Sequence, residues 1–301
     1  MPFETPTLPA VPALRFAPSP NGFLHLGHAY SALMNAHVAA RLGGTLHLRF
    51  EDIDTARCRP EYATEALADL AWLGLTWQEP VWYQSSRFPV YKAALVRLEA
   101  ENLLYPCFCS RGDIARAVAD RPEWPRDPDG ALLYPGTCRH RTPAERAALI
   151  AAGHRPALRL DMTAALRHSP PDLAWTEYGE GDVPRRIAAD PGLWGDALLV
   201  RKDVPTSYHL SVVVDDAAQG ITNVVRGEDL FPATALQRLL HILLDLPEPA
   251  YHHHTLVRDA TGEKLSKSRG AAALRDLRQS GAGPPRQPTA RPVTALHVPV
   301  A

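Results

Sequence analysis

Apolar positions along the first hundred residues switch between two periods. LRFAPSP reads as a short strand stopped by Pro18 and Pro20, and Asn21-Gly22 then supplies turn chemistry. Between residues 28 and 42, Ala29, Leu33, Ala36 and Ala40 recur at helical spacing, and Gly43-Gly44 ends the run as a C-cap does. GTLHLRFEDID alternates as a second strand, and helical spacing returns over residues 61–73 and 90–99. The order β-α-β-α-α predicts an α/β fold with a parallel sheet and helical crossovers, its first half spanning 14–100.

From 101 to 190 the pattern breaks into Pro-rich sequence bearing Trp and Cys, which predicts an insertion with its own small fold. Regular patterning resumes over 191–278. ALLVRKD, LSVVVDD and ITNVVRGED read as strands or buried segments, and residues 231–244 as a helix with Ala235, Leu239 and Ile242 on one face. Four prolines within the first 12 residues predict an extended, disordered leader over 1–13, and Gly/Pro enrichment predicts a flexible tail over 279–301.

The 301 residues are 46% apolar and 22% charged, enough for a real core and unlike a disordered chain. A net charge of −1 excludes the global positive field of a histone-like protein, so any nucleic-acid contact must use a local patch. No apolar run approaches the ~18 residues of a membrane span, and MPFETPTLPAVPA lacks the regions of a signal peptide, which leaves the cytoplasm as the expected compartment. A monomer is expected, though no residue pattern reads out the oligomeric state.

His25-Leu26-Gly27-His28 follows a strand and a turn and opens a helix. Two imidazoles at a helix N-terminus, with a glycine allowing close approach, suit phosphate oxygens, although four residues alone match often by chance. Lys264-Leu265-Ser266-Lys267-Ser268 lies far downstream in a polar segment. Two lysines and two hydroxyls there can neutralise charge that develops as an α-phosphate is attacked and pyrophosphate leaves. The two motifs occur in this order in an α/β chain with neither a GxxxxGK[ST] loop nor a GxGxxG after its first strand, which narrows the reading.

With RFAPSPNGFLHLGHA, LRFEDID, VVRGEDL and KLSKS in place, residues 14 to 278 resemble the class I aminoacyl-tRNA synthetases, glutamyl branch. Within it they are most similar to the glutamyl-Q tRNA(Asp) synthetases, shortened paralogues that lack an anticodon-binding domain. The 33 residues after Ser268 are fewer than the ~50 of a small domain, so RNA contacts are expected on the catalytic body.

The resemblance implies a two-step reaction: L-glutamate is activated with ATP and Mg²⁺, and the glutamyl group then passes to queuosine in the anticodon stem-loop of tRNA(Asp). It also implies that His25, His28 and Lys267 hold ATP, with Lys264 beside them. Glutamate would lie against Arg15, Phe16, Ala17, Pro18, Ser19, Glu51, Tyr208 and Arg226. Charge chemistry agrees, since two arginines can grip a side-chain carboxylate bidentately, Tyr208 can add a hydrogen bond and Glu51 suits the α-ammonium group. Arg226 could instead pair with Glu228 or Asp229.

Of the four cysteines, Cys107, Cys109 and Cys138 cluster, which points to a metal rather than disulfides. Three thiolates bind Zn²⁺ once a fourth ligand completes a tetrahedron; His140 is the commoner ligand type, whereas the resemblance implies Tyr134 through its CxC…YxxxC pattern. Cys58 stands apart. Consecutive His252, His253 and His254 on a strand point to opposite faces and cannot share one ion, so one or two of them are expected beside the ATP site. Three rival readings stay open: a silent paralogue that only binds, a truncated synthetase charging a tRNA 3′ end, and a ligase acting on a small-molecule acceptor.

Overall fold

The computed structural model describes residues 9–179, 183–258 and 273–284. Its first third holds β1 (Ala13–Phe16), α1 (Leu26–Arg41), β2 (Thr45–Phe50), α2 (Pro60–Trp72), β3 (Gln78–Tyr83) and α3 (Phe88–Ala100). Then come β4 (Leu104–Cys107), α4 (Arg111–Ala117), α5 (Pro143–Ala151), β5 (Ala157–Leu160), α6 (Met162–Arg167), β6 (Ala174–Tyr178) and β7 (Pro184–Ala188). The rest comprises β8 (Leu198–Val200), α7 (Tyr208–Ala218), β9 (Asn223–Gly227), α8 (Ala233–Leu243), β10 (Ala250–His254) and α9 (Leu274–Gln279).

β1, β2 and β3 run parallel in that order, and a second sheet has the order β7-β6-β10-β9 with only β7 antiparallel. Thr222 stitches the two together at the start of β9. Its N–H donates to the Ala13 carbonyl at 2.9 Å while its Oγ1 accepts from the Ala13 N–H, also at 2.9 Å. β1 and β9 therefore lie side by side, and the chain leaves them towards opposite flanks. Their carboxyl ends form the crevice at which open α/β sheets bind ligands.

Why the chain crosses so tightly from α1 to β2 is visible at Gly43 and Gly44. Gly43 turns at φ +62°, and a Cβ on Gly44 would stand 2.4 Å from the Pro12 carbonyl oxygen. β1 begins at Ala13, the last residue of the stretch read as a disordered leader, and Ala13 is buried.

Three expectations change. β3 is an added strand, obscured in sequence because QEPVWY carries a proline and lies exposed along an edge of its sheet. LSVVVDD is helical, within α7. The β-branched Val212–Val214 run favours a strand, but Ser207 caps the segment by accepting from the Leu210 N–H, and residues 210–217 are buried on every side, which erases the helical period. Residues 174–188, inside the stretch read as an insertion, form β6 and β7 and extend the sheet of β9 and β10, while β8 pairs with β5. Pro-rich sequence before WTEY hides that strand's alternation.

Two large cores flank the sheets. One gathers α1, α2, β1 and β2, and the other joins α3, α7 and α8 to β5 and α6. Leu240 on α8 is fully buried in the second, where truncation to Ala costs about 2–5 kcal/mol. α7 and α8 pack against each other in this core, and Tyr208 at the start of α7 reaches the crevice. The tail from residue 285 onwards, like the KLSKS segment, lies outside the described residues.

Candidate active site

One cleft of about 1040 Å³ opens over the carboxyl ends of β1 and β9. Arg15, Phe16, Ala17, Pro18 and Ser19 enter it from β1 and its turn, and His25 and His28 from the start of α1. Glu51 follows β2, Tyr208 begins α7 and Arg226 lies on β9. All ten residues expected there from sequence, apart from the two lysines, line this one cleft. Lys264 and Lys267 lie outside the described residues.

α1 begins at Leu26, two residues earlier than its spacing predicts, because His25 is its N-cap. Nδ1 of His25 accepts from the Gly27 N–H at 3.1 Å, and Nδ1 of His28 accepts from the His25 N–H at 3.2 Å. With both Nδ1 atoms acting as acceptors, each neutral imidazole carries its proton on Nε2, the form that donates to an anion. Gly27 eases this packing: a Cβ there would stand 3.0 Å from the His25 ring, which would have to shift. Next to the caps, Ala273 forms a β-bridge with His25 and Leu274 N–H donates to the Leu24 carbonyl, so the described chain resumes after KLSKS directly beside this motif.

Beneath the cleft sits a buried charge network. Arg15 Nε donates to Asp216 Oδ1 at 3.0 Å, the only hydrogen bond of its side chain among the described residues, and its terminal nitrogens are left to face the cleft. Arg49, fully buried, donates to the same Asp216 oxygen at 2.8 Å and lies 3.7 Å from Glu51. Burial disfavours the Asp216 charge, but Arg15 and Arg49 outweigh it and hold the carboxyl below its usual range. For Glu51 the balance is reversed. Burial pushes it up to about 7 against the pull of Arg49 and Arg15. Neighbouring Asp215 accepts from Arg87, Gln84 and Tyr91, which ties α7 to α3 and the turn before it.

Arg226 does not pair with Glu228 or Asp229. Its five N–H groups reach five neutral acceptors: His253, Gln237, Tyr208, Thr234 and the Leu230 carbonyl. Its charge therefore has no carboxylate in direct contact among the described residues. Sequence reasoning missed Asp216, Gln237, Thr234 and His253 as supports of the two arginines. Only the alternation of the His triplet carried a signal: His254 lines the cleft beside Leu256, whereas His253, facing the other way, meets Arg226. The Cys58 thiol donates to the Glu51 carbonyl at 3.9 Å, apart from the cysteine cluster.

A separate cluster brings Cys107, Cys109 and Cys138 together, their Sγ atoms all within 4.8 Å of one another. Tyr134 Oη lies 3.6 Å from Cys109 Sγ and accepts from the Cys138 N–H at 2.8 Å. Sulfur atoms about 3.8 Å apart are what a tetrahedron with Zn–S of ~2.3 Å requires, and Cys109 and Cys138 already stand at 3.6 Å, so the donor set fits Zn²⁺. His140, the rival fourth ligand, is not among the metal-ligating groups gathered here. The cluster braces β4 against the loop before α5, with Arg159 over the Tyr134 ring at 3.9 Å. No described helix is long and apolar enough to cross a membrane.

Residues 13–301 match the catalytic-domain model of class I tRNA synthetases (E and Q), and the chain belongs to that family. Within it, the chain is 46% identical over 276 residues to a glutamyl-Q tRNA(Asp) synthetase of Rhodobacter capsulatus, covering 90% of this chain and 96% of that one. A second glutamyl-Q tRNA(Asp) synthetase, from Symbiobacterium thermophilum, is 43% identical over 90% of this chain and 82% of its own. Among solved structures, a glutamate-tRNA synthetase of Elizabethkingia anophelis superposes with a TM-score of 0.68 at 26% identity, over 86% of this chain; the chain spans 53% of that protein's length.

Proposed function

We propose that the protein activates L-glutamate with ATP, without needing tRNA, and transfers the glutamyl group to queuosine in the anticodon stem-loop of tRNA(Asp). The observation that carries this reading is the convergence of Arg15, Arg226, Tyr208 and Glu51 with His25 and His28 in one cleft. The names of its relatives, glutamyl-Q tRNA(Asp) synthetases, support the choice of acceptor.

Arg15, braced at Nε by Asp216, offers its terminal nitrogens to the substrate's side-chain carboxylate. Arg226 adds a fixed positive charge, and its contact with the Tyr208 hydroxyl, at 3.4 Å, is long enough to yield to a charged oxygen. Ionised Glu51 receives the α-ammonium group. So held, the α-carboxylate points towards the His25–His28 end of the cleft. ATP enters there as its Mg²⁺ complex, with the imidazole Nε2–H groups against phosphate oxygens and Lys264 and Lys267 supplying positive charge. A carboxylate oxygen bonds to the α-phosphorus, the bond to the bridging oxygen breaks, and pyrophosphate leaves with that electron pair. In the second step a queuosine hydroxyl attacks the mixed-anhydride carbonyl. AMP departs, and the hydroxyl proton passes to a basic oxygen of the departing phosphate or to water.

Cys107, Cys109, Cys138 and Tyr134 would hold one structural Zn²⁺, which stabilises the fold of the middle segment and takes no part in either step. The protein would act as a monomer in the cytoplasm, where ATP and tRNA are both present. The segment 264–301 carries seven Lys or Arg against one Asp; Arg278 is bonded to Asp69 and Glu65, and the other basic residues would grip the RNA backbone. The domain limits expected from sequence, an insertion between two halves of a catalytic body, belong to the same proposal.

Pyrophosphate exchange into ATP tests the first step. Exchange should require L-glutamate and proceed with no RNA added; exchange that appears only on adding tRNA would contradict this reading.

A further inference from the structure

Glu177 on β6 is buried, and three donors converge on its carboxylate. Oε1 accepts from the His253 backbone N–H at 2.9 Å; Oε2 accepts from His253 Nδ1 at 2.9 Å and from Trp175 Nε1 at 3.1 Å. A group facing three N–H donors must be an acceptor on both oxygens, which fixes the His253 proton on Nδ1. Nε2 is then a lone pair, and Arg226 Nε–H donates to it at 3.0 Å, with Thr234 Oγ1 3.3 Å away. With Arg226 Nε–H aimed at Nε2 there is no place for a second proton, so the imidazole is neutral; burial lowers its basicity in the same direction, against the pull of Glu177.

The five partners of Arg226 fall into two sets. His253, Gln237 and Thr234, at 3.0, 2.8 and 2.7 Å, lie outside the cleft lining and hold the guanidinium from behind. Tyr208 and Leu230, at 3.4 and 3.2 Å, are cleft residues with longer contacts. The short bonds thus fix the plane of the fork, and the long ones lie where a ligand can compete. Register makes this possible, because His253 is directly opposite Arg226 across the β9–β10 pair and Tyr251 opposite Glu177 across β10–β6.

We propose that Glu177 and His253 form a tautomer lock that sets the orientation of Arg226 towards the substrate's side-chain carboxylate, which makes both of them positioning residues for glutamate selection. The proposal rests on the reading of Arg226 as part of the glutamate site. Glu177 never touches substrate in this scheme. It acts through the imidazole, which converts a carboxylate into a neutral acceptor and leaves the Arg226 charge for the ligand. A direct carboxylate partner would instead compete with that ligand.

Glu177→Gln tests the lock. Its amide cannot accept from both sides: with NH₂ facing Nδ1 the proton moves to Nε2, where N–H confronts Arg226 N–H, and with NH₂ turned to the His253 backbone N–H two donors clash and the ring loses its seat. In glutamate-dependent pyrophosphate exchange, KM for glutamate should rise about tenfold or more, with KM for ATP and kcat within about twofold. Trp175→Phe removes one donor but leaves the tautomer, and should stay near native. The Glu177→Gln, His253→Ala double variant should bind glutamate no worse than His253→Ala alone, since both act through one chain of bonds. Imidazole ¹⁵N spectra of the native protein should show His253 as the Nδ1–H form; the Nε2–H form or the imidazolium would overturn the lock whatever the variants do. An unchanged glutamate KM in Glu177→Gln, or an equal fall in every kinetic constant, would overturn it too. Arg226→Lys separates the two levels: if that variant binds glutamate normally, the glutamate-site reading itself fails.

Discussion

Arg15 and Asp216, 201 positions apart in the chain, meet through a 3.0 Å bond from Nε to Oδ1 inside a pocket where both side chains are almost fully buried. Asp216 also takes Arg49, so one carboxylate bridges two guanidinium groups below the cleft. The arrangement leaves the outer edge of Arg15 to an incoming anion while its inner edge is fixed. Asp216→Asn keeps the shape and an acceptor but removes the charge. Breaking a buried pair in this way costs about 3–5 kcal/mol when one partner is lost outright, and the isostere should cost less. Glutamate KM should rise about tenfold, with a lower melting temperature, and ATP KM should hold. Steady-state exchange with a melting curve checks it, and an unaltered glutamate KM would contradict the role of Asp216.

Glu51 gives the pH dependence. Its carboxyl, raised to about 7 chiefly by burial, must be ionised to hold an ammonium group. Glutamate affinity should therefore improve as pH rises through about 7 and then level off. Stability of the free protein moves the other way. A carboxyl raised above its ordinary value of 4.5 contributes stability that is complete below that value and is lost as pH rises through about 7. Glutamate KM and chemical denaturation measured from pH 5.5 to 8.5 should show these opposed trends, and Glu51→Gln should abolish both. A flat glutamate KM in the native protein would remove Glu51 from the ammonium site.

The cysteine cluster predicts metal content. Purified protein should carry about one zinc per chain, and Cys109→Ser should lose it, with faster proteolysis around residues 101–140. Elemental analysis and limited digestion read this directly. A fully stable native protein with no metal would show that the thiols serve another purpose.

Where the candidate residues are contiguous, the sequence showed where they lie. HLGH could be placed at a helix start because strand, turn and helix follow each other within thirty residues, and the cysteines because three thiols in a short span have few uses. LSVVVDD misled because a helix buried on all sides has no polar face to set a period, and its β-branched valines favour the opposite answer. β3 was hidden by its proline and its exposed edge. The supports of the arginines were beyond reach for a different reason: the packing of α7 under β1 joins Arg15 to Asp216, the strand order joins Glu177 to His253, and no local pattern encodes either.

The acceptor is the central claim. Radiolabelled glutamate should be transferred to tRNA(Asp) carrying queuosine, and to its isolated anticodon stem-loop, with the label mapping to the queuosine nucleotide and transfer weakening steeply with salt. Equal labelling of tRNA(Asp) with guanine at that position, or label at the 3′ end of tRNA(Glu), would contradict the account.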